Sequence, residues 1–338
     1  MQFVILALLD RLLQEAGDHH LNRKLTMTNT DRWNTENGAG SQTIILAGAT
    51  GALGSAIARH LIKRGATVRG LVRKGSNNPH TEALQKEGVT IVAVDYSNLA
   101  ELKEACNGGA CVVSALSGLR DVIIDVQANL LKAAVDAGVQ RFIPSDYCID
   151  YTRLTPGNNR NLDLRREFNE RLDKAPIGAT SILNGMFTDL LTGQAPVILY
   201  GAKRIVYWGD ATQLLDFTTM DDTAEFTAAA ALDPSTPRYL RIAGEETNVE
   251  GLQATAAKVA GQPYKLFRAG GLGTLRAMIK VAKTLFPKKK EVFPPWQGMQ
   301  YLHDMFTGLP KLYPLDNVRY RDIKWTSVAE VIAGKKQL

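Results

Sequence analysis

The sequence is short of the residues that staple or metallate a fold. Its 338 residues include three cysteines, Cys106, Cys111 and Cys148. They form no CxxC pair and leave an odd count, which argues against a disulfide framework and for a reducing compartment, the cytoplasm. Five histidines fall into no HExxH or other ligand spacing, so no metal is expected. No apolar run approaches the length needed to cross a bilayer, and there is no internal repeat or low-complexity segment. What remains is an ordinary globular composition, 45% hydrophobic and 22% charged. The length fits one α/β domain with a smaller lobe, or at most two compact domains. A net charge of +6 suits anionic ligands without naming one. The densest basic run, Lys288 to Lys290, is bracketed by Pro287 and Glu291 and reads as a solvated loop rather than a nucleic-acid surface.

Residues 1–42 differ from the rest. Phe3 to Leu9 is a short apolar run that no positive segment precedes and that Asp10 and Arg11 interrupt, which fits an amphipathic helix better than a signal peptide. Thr28 to Gln42 is Asn- and Thr-rich and is expected to be a disordered tether. Met27 offers an alternative start.

The stretch "TIILAGATGALGSAIARHLIKRG", Thr43 to Gly65, reads as strand, glycine turn and helix in succession. Gly48, Gly51 and Gly54 stand three apart. The first allows a tight turn, the second lets backbone amides approach a pyrophosphate, and the third lets the helix pack closely on the sheet. The loop Gly48, Thr50, Gly51, Ala52, Leu53 and Gly54 would lay that anion on the positive end of the helix. Strand and helix patterns then alternate, at Thr67 to Val72, Thr81 to Lys86, Thr90 to Val94, Leu99 to Cys106, Cys111 to Ser114, Val122 to Ala137 and Phe142 to Pro144. Such alternation predicts a Rossmann-type doubly wound parallel sheet over residues 43–190, with its ligand crevice at the carboxyl ends of the strands. A smaller C-terminal substrate lobe is expected over 191–338, with some segments returning to the sheet. In that part "DFTTMDDTAEFTAAAALDP" reads as a strand end, an Asp cap and an Ala-rich helix. Aromatics and methionines at Phe286, Phe293, Trp296, Met299, Tyr301 and Met305 would pack that lobe or close over a substrate.

At the second strand's end an acid would bond a ribose 2′-hydroxyl, and a base would accept a 2′-phosphate. The chain offers "LVRKGS". Arg73 and Lys74 therefore favour NADP(H) over NAD(H). Asp95 and Tyr96, at the third strand's end, suit the adenine side or serve as turn and cap residues.

In their order, "GATGALG", "LVRKGS", "VDYSN", "VVSALSG", "QANLLKAAVDAGVQRFIPSDY", "TSILNGMFTDLL" and "TTMDDTAEF" resemble the NmrA-like and isoflavone-reductase-like branch of the atypical short-chain dehydrogenase/reductases. The closing "YPLDNVRYRDIKWTSVAEVIA" is similar to that family's last segment. The resemblance implies that Ser114, Ala115 and Leu116 meet the adenosine or bridging portion of the cofactor. It also implies that Pro144 and Ser145 border the nicotinamide, with the turn Asn184, Gly185, Met186 and Phe187.

The catalytic residues depart from that pattern. Neither Tyr147 nor Tyr151 has a lysine four residues on, and the one YxxxK match, Tyr320 and Lys324, lies near the C-terminus in the wrong context. Where isoflavone-reductase-like enzymes place a lysine on the helix before "TSILNG", this chain reads "LDLRREFNERLDK" and offers Arg165, Arg166 and Glu167. An arginine polarises a carbonyl but is a poor proton donor, so Tyr147 or water would supply the proton. Salt bridges of Arg165 and Arg166 to Glu167 and Glu170 are the structural alternative. The expected activity is reduction of a small carbonyl, enone or quinone. The competing expectation is a catalytically silent NADP(H) sensor that acts on a regulatory protein partner.

Overall fold

A computed structural model describes residues 42–76 and 78–336; the expectations for the N-terminal extension lie outside them. Thr43–Ala47 (β1) is built from β-branched and aliphatic residues, and Ile44 to Ala47 have no exposed surface. Around it a parallel sheet runs in the order β3-β2-β1-β4-β5-β6. The members are Thr67–Arg73 (β2), Thr90–Val94 (β3), Cys111–Ser114 (β4), Arg141–Ile143 (β5) and Gly178–Ala179 (β6). Ser181–Leu183 (β7) follows at once and pairs in parallel with Tyr239–Arg241 (β12), so a late segment returns beside the large sheet. This is the α/β doubly wound arrangement, with strand order reversing between β1 and β4. Ala47 sits opposite Ser114 there, and the chains diverge on either side.

Helices cover both faces. Ala52–Lys63 (α1) and Met220–Leu232 (α6) close one face through Ile57, Leu61, Ala224, Phe226 and Ala230, all without exposed surface. Leu99–Cys106 (α3), Gln127–Asp136 (α4) and Arg160–Leu172 (α5) close the other, where Leu102, Leu130, Phe142 and Phe168 are equally buried. His80–Lys86 (α2) lies between β2 and β3 in the chain. The expected helix over Val122 to Ala137 opens instead as a π turn at Asp121–Val126, in which Gln127 Nε2 donates to the Ile123 carbonyl. The Asp cap expected for α6 is a threonine: Thr219 Oγ1 accepts from the Asp222 amide, while Asp222 itself receives Thr326.

A third core belongs to the smaller lobe. It joins Cys148, Tyr151 and Leu162 to the strands Ile198–Leu199 (β9) and Arg204–Tyr207 (β10). The helices Val249–Ala260 (α7), Leu272–Leu285 (α8), Pro295–Phe306 (α9) and Val328–Lys336 (α10) complete it. Trp296, Met299 and Met305 are buried in it, whereas Phe286 and Phe293 are exposed. Met186–Phe187 (β8), Leu215–Thr218 (β11) and Glu245–Thr247 (β13) form a small sheet between the lobe and the strand ends, and Lys265–Arg268 (β14) pairs with β10.

The Phe226 ring meets Tyr320 edge-on at 4.9 Å and Trp325 at 6.0 Å. We expect Phe226→Ala to lose about 3–5 kcal/mol in urea unfolding. Val281→Ala, half exposed on α8, should stay within about 0.5 kcal/mol of the parent.

Candidate functional site

The turn after β1 is set by backbone clearance. Gly48 has φ +79°, and a Cβ there would stand 2.6 Å from the Ala115 carbonyl oxygen. A Cβ on Gly54 would stand 2.1 Å from the Gly48 carbonyl oxygen. Both distances are impossible, so two of the three glycines are required by contact between β1, α1 and the end of β4. Gly51 closes the turn with an N–H to the Gly48 carbonyl at 3.0 Å. Gly51 and Ala52 face solvent, Thr50 and Leu53 are half-buried, and Leu53 packs onto the α1 face of the core. Side chains cap α3, α5, α6 and α7. By contrast, α1 has no side-chain cap, so its first amides remain available to an anion.

At the ends of β2 and β3 the four expected residues separate. Arg73 is exposed, and its side chain makes no hydrogen bond or ion pair among the described residues. Lys74 is engaged by Glu101 at 3.0 Å, so of the two bases Arg73 is the free one. Asp95 is exposed, and hydrogen bonds from the Ser97 hydroxyl and amide hold its carboxyl below the usual carboxylate range. Tyr96 is a correction. Its ring turns into the core with α3 and α4, its hydroxyl approaches the Leu71 carbonyl at 3.4 Å, and burial pushes the phenol far up. Only its backbone remains at the rim.

The next strand ends carry a set of unpartnered polar atoms. Ser114 Oγ, both side-chain atoms of Asn184 and Thr188 Oγ1 are buried without a hydrogen bond. An unsatisfied buried group costs about 1–3 kcal/mol, so such a cluster marks a place built for water or ligand. The backbone around it is fixed. Ser145 Oγ donates to the Leu116 carbonyl at 2.6 Å, and the Ser145 amide donates to Gln127. Asn184 and Gly185 donate their amides to the Cys148 carbonyl. Gly185 has φ +70°, and a Cβ there would stand 2.4 Å from the Asp216 carbonyl oxygen. Pro144 and Met186 are buried and Phe187 half-buried; Ala115 and Phe187 pack with the α1 and α6 face.

The expected catalytic residues also part company. The Tyr147 ring lies in the core beneath α6, its hydroxyl beside Thr227, and burial raises its pKa far above the tyrosine range. It is sealed from a substrate in this structure, which removes the ground for its role as donor. Arg166 turns to the loop before α5. Its Nη2 donates to the carbonyls of Tyr151 and Leu154, and its guanidinium stacks 5.7 Å from the Tyr151 ring centre. Arg165 alone points to the strand ends, donating to the Asp146 carbonyl at 2.8 Å and to the Asn161 carbonyl at 3.0 Å. Glu167 pairs with Arg120 and Arg171 rather than with either arginine. Tyr320 donates to Asp233 at 2.8 Å, apart from the site.

Asp146 fixes the floor under Arg165. It has no exposed surface, and its carboxylate accepts from Tyr151 OH at 3.1 Å and Asn169 Nδ2 at 2.9 Å. Burial raises its pKa against the pull of Ser181, Arg165, Asn169 and Arg238. Tyr301 of α9, named in the sequence only among aromatics that would pack the lobe or close over a substrate, is half-buried and an electrostatic neighbour of both Arg165 and Cys148. Burial raises its phenol well above the usual range, and Arg165 draws it back in part. Burial works against the charge on Arg165; Tyr301, Cys148, Asp146 and Tyr151 outweigh it and leave the guanidinium more firmly protonated than usual. Only tertiary packing brings α9 to α5, so no local signal marks this pair.

Among the described residues no cluster of three or more histidine, cysteine, aspartate or glutamate side chains could hold a metal, and no helix is long and apolar enough to cross a membrane. The three cysteines are buried and free.

The chain is 31% identical over 186 residues to the oxidoreductase swnN of Arthroderma benhamiae, covering 50% of this chain and 58% of that protein. It therefore spans under two thirds of that relative's length. It is 26% identical to the probable pinoresinol-lariciresinol reductase 3 of Arabidopsis thaliana, covering 86% of this chain and 96% of that one. The solved structure of AtPrR2 with NADP+ and (+)pinoresinol superposes with a TM-score of 0.75 at 22% identity, covering 88% of this chain and 99% of that one. The strand order reversing at β1 and β4 and the uncapped glycine turn accord with a family model that matches residues 40–268, and the chain belongs to the NmrA-like family.

Proposed function

We infer that the chain is an NADPH-dependent reductase of a small carbonyl, enone or quinone. The observation that carries this reading is the free Arg73 guanidinium at the end of β2, across from an α1 terminus without a side-chain cap. A glycine turn with free amides suits a pyrophosphate, and an unpaired guanidinium suits a 2′-phosphate by bidentate contact. Asp95 would meet the adenosine, and Ser114 to Leu116 the bridging portion. Pro144, Ser145 and the Asn184 to Phe187 turn would border the nicotinamide, where the orphaned atoms of Ser114 and Asn184 await partners. The names of the relatives, oxidoreductase and pinoresinol-lariciresinol reductase, support the reductase class. The free cysteines accord with the reducing cytoplasm.

When bound, the cofactor supplies a hydride to the substrate carbon. The residues of the chain supply the rest. Arg165, anchored by two carbonyls, holds a cation toward the oxygen on which negative charge grows. Tyr301 stays protonated at neutral pH and can deliver a proton to that oxygen, and Arg165 then stabilises the phenolate left behind. The small lobe brings Tyr301 of α9 to Arg165 of α5.

Arg73→Asp should weaken NADPH binding by about ten- to a hundredfold and abolish the preference over NADH, read by calorimetry with both nucleotides. Lys74→Ala should change it little, because Glu101 already holds that charge. Tyr301→Phe should lower kcat by about 10²-fold at unchanged NADPH affinity, whereas Tyr147→Phe should leave kcat within twofold of the parent, about 0.4 kcal/mol. The decisive assay follows NADPH oxidation against a panel of quinones, enones and aldehydes. Tight NADPH binding with no turnover against that panel would instead favour the silent sensor with a protein partner, the reading to which an arginine at position 165 also lends itself.

A further inference from the structure

Beside the reductase site the small lobe encloses a cavity of ≈ 130 Å³ between the start of α5, α8 and the end of α9. That is several times the space one water needs. Arg165 and Arg166 are consecutive on α5 and project roughly 100° apart, so the first serves the strand ends and the second lines this cavity. Its charged lining is Arg166, Arg276, Asp163, Asp304 and His303.

The two acids are spoken for, whereas each basic group keeps at least one nitrogen without a partner. Both oxygens of Asp163 accept from the Gly157 amide, at 3.0 and 3.1 Å. Asp304 Oδ2 accepts from Asn159 Nδ2 at 2.9 Å, and its other oxygen faces His303 Nδ1 at 3.5 Å. On the basic side, Arg166 Nε is buried with no hydrogen bond. Arg276 is exposed at the rim, and its side chain makes no ion pair or hydrogen bond among the described residues. His303 is only 9% exposed, and its Nε2 has no partner. Buried polar atoms without a partner, as at Arg166 Nε and His303 Nε2, are held at a cost that a bound polar group would remove.

We propose that this cavity is a second binding site, which takes a small oxyanion of the phosphate or carboxylate class. The Arg166 Nε–H and the Arg276 fork would donate to its charged oxygens, and His303 Nε2 would meet a further oxygen or hydroxyl. The site is separate from the strand ends and does not depend on whether the chain transfers a hydride.

The test is calorimetric titration of the full chain with inorganic phosphate, and separately with malonate, at constant ionic strength. Saturable binding is expected, with at least a tenfold loss of affinity in Arg276→Glu. That residue is exposed and unpaired, so the substitution leaves the fold intact. His303→Gln should weaken binding as well, and Arg73→Asp, at the end of β2, should leave it unchanged. Binding that Arg73→Asp removes and Arg276→Glu preserves would place the anion at the end of β2, where the 2′-phosphate is assigned, and overturn the proposal. Equal affinity in parent and Arg276→Glu, or no binding of either anion, would overturn it too.

Discussion

The site depends on one contact between backbones, that of the Gly48 carbonyl with Gly54 and of Gly48 itself with Ala115. At 2.1 and 2.6 Å from where side-chain carbons would stand, neither position has room for any residue but glycine. This approach draws the first turn of α1 against β1 and sets the end of β4 beside it, so the crevice opens where strand order reverses. The free amides of α1 and the ends of β2, β4 and β5 take their places from it. A second clearance of the same kind, Gly185 against the Asp216 carbonyl, seats the β7 end against the small sheet. The two clearances bracket the crevice at its two ends.

Between these fixed points, polar groups set the chemistry. Buried Asp146 receives Tyr151 and Asn169, and its backbone carbonyl receives Arg165. Two segments, the turn at Tyr151 and α5, are thereby tied to one residue just past the end of β5. A carboxylate without exposed surface would be costly alone, and the cost is offset by hydrogen bonds and by the guanidiniums of Arg165 and Arg238 nearby. The result orients Arg165 without using its charge in an ion pair, which leaves that charge for a substrate.

Much of this was legible in the sequence because it is local. The β1–glycine–α1 succession, the alternation of strands and helices through β5, and the basic residues closing β2 all lie within short windows where periodicity and turn chemistry operate. The helix Leu99–Cys106 and the strand Thr90–Val94 have the bounds that periodicity predicts. What escaped is tertiary. That Glu101 occupies Lys74, leaving Arg73 free, depends on α3 passing the end of β2. That Tyr96 and Tyr147 turn inward depends on which face of the sheet each ring meets, and a strand-end tyrosine reads the same either way. Tyr301 lies far along the chain from Arg165, and no spacing rule joins them.

The arginine at position 165 changes what the rest of the site must do. A lysine can both carry charge and exchange a proton near neutral pH when its surroundings lower its pKa; a guanidinium cannot. Its environment here holds the proton more firmly still. In the reduction proposed above, proton delivery would come from a group that stays neutral yet tolerates losing its proton, and the half-buried phenol of Tyr301 beside Arg165 meets both conditions. Because that phenol belongs to α9 and the cation to α5, the competent arrangement exists only when the small lobe sits against the strand ends. On that proposal substrate shape and the seating of the lobe become one requirement, and the proton donor would be set by the packing between the two layers rather than by any motif.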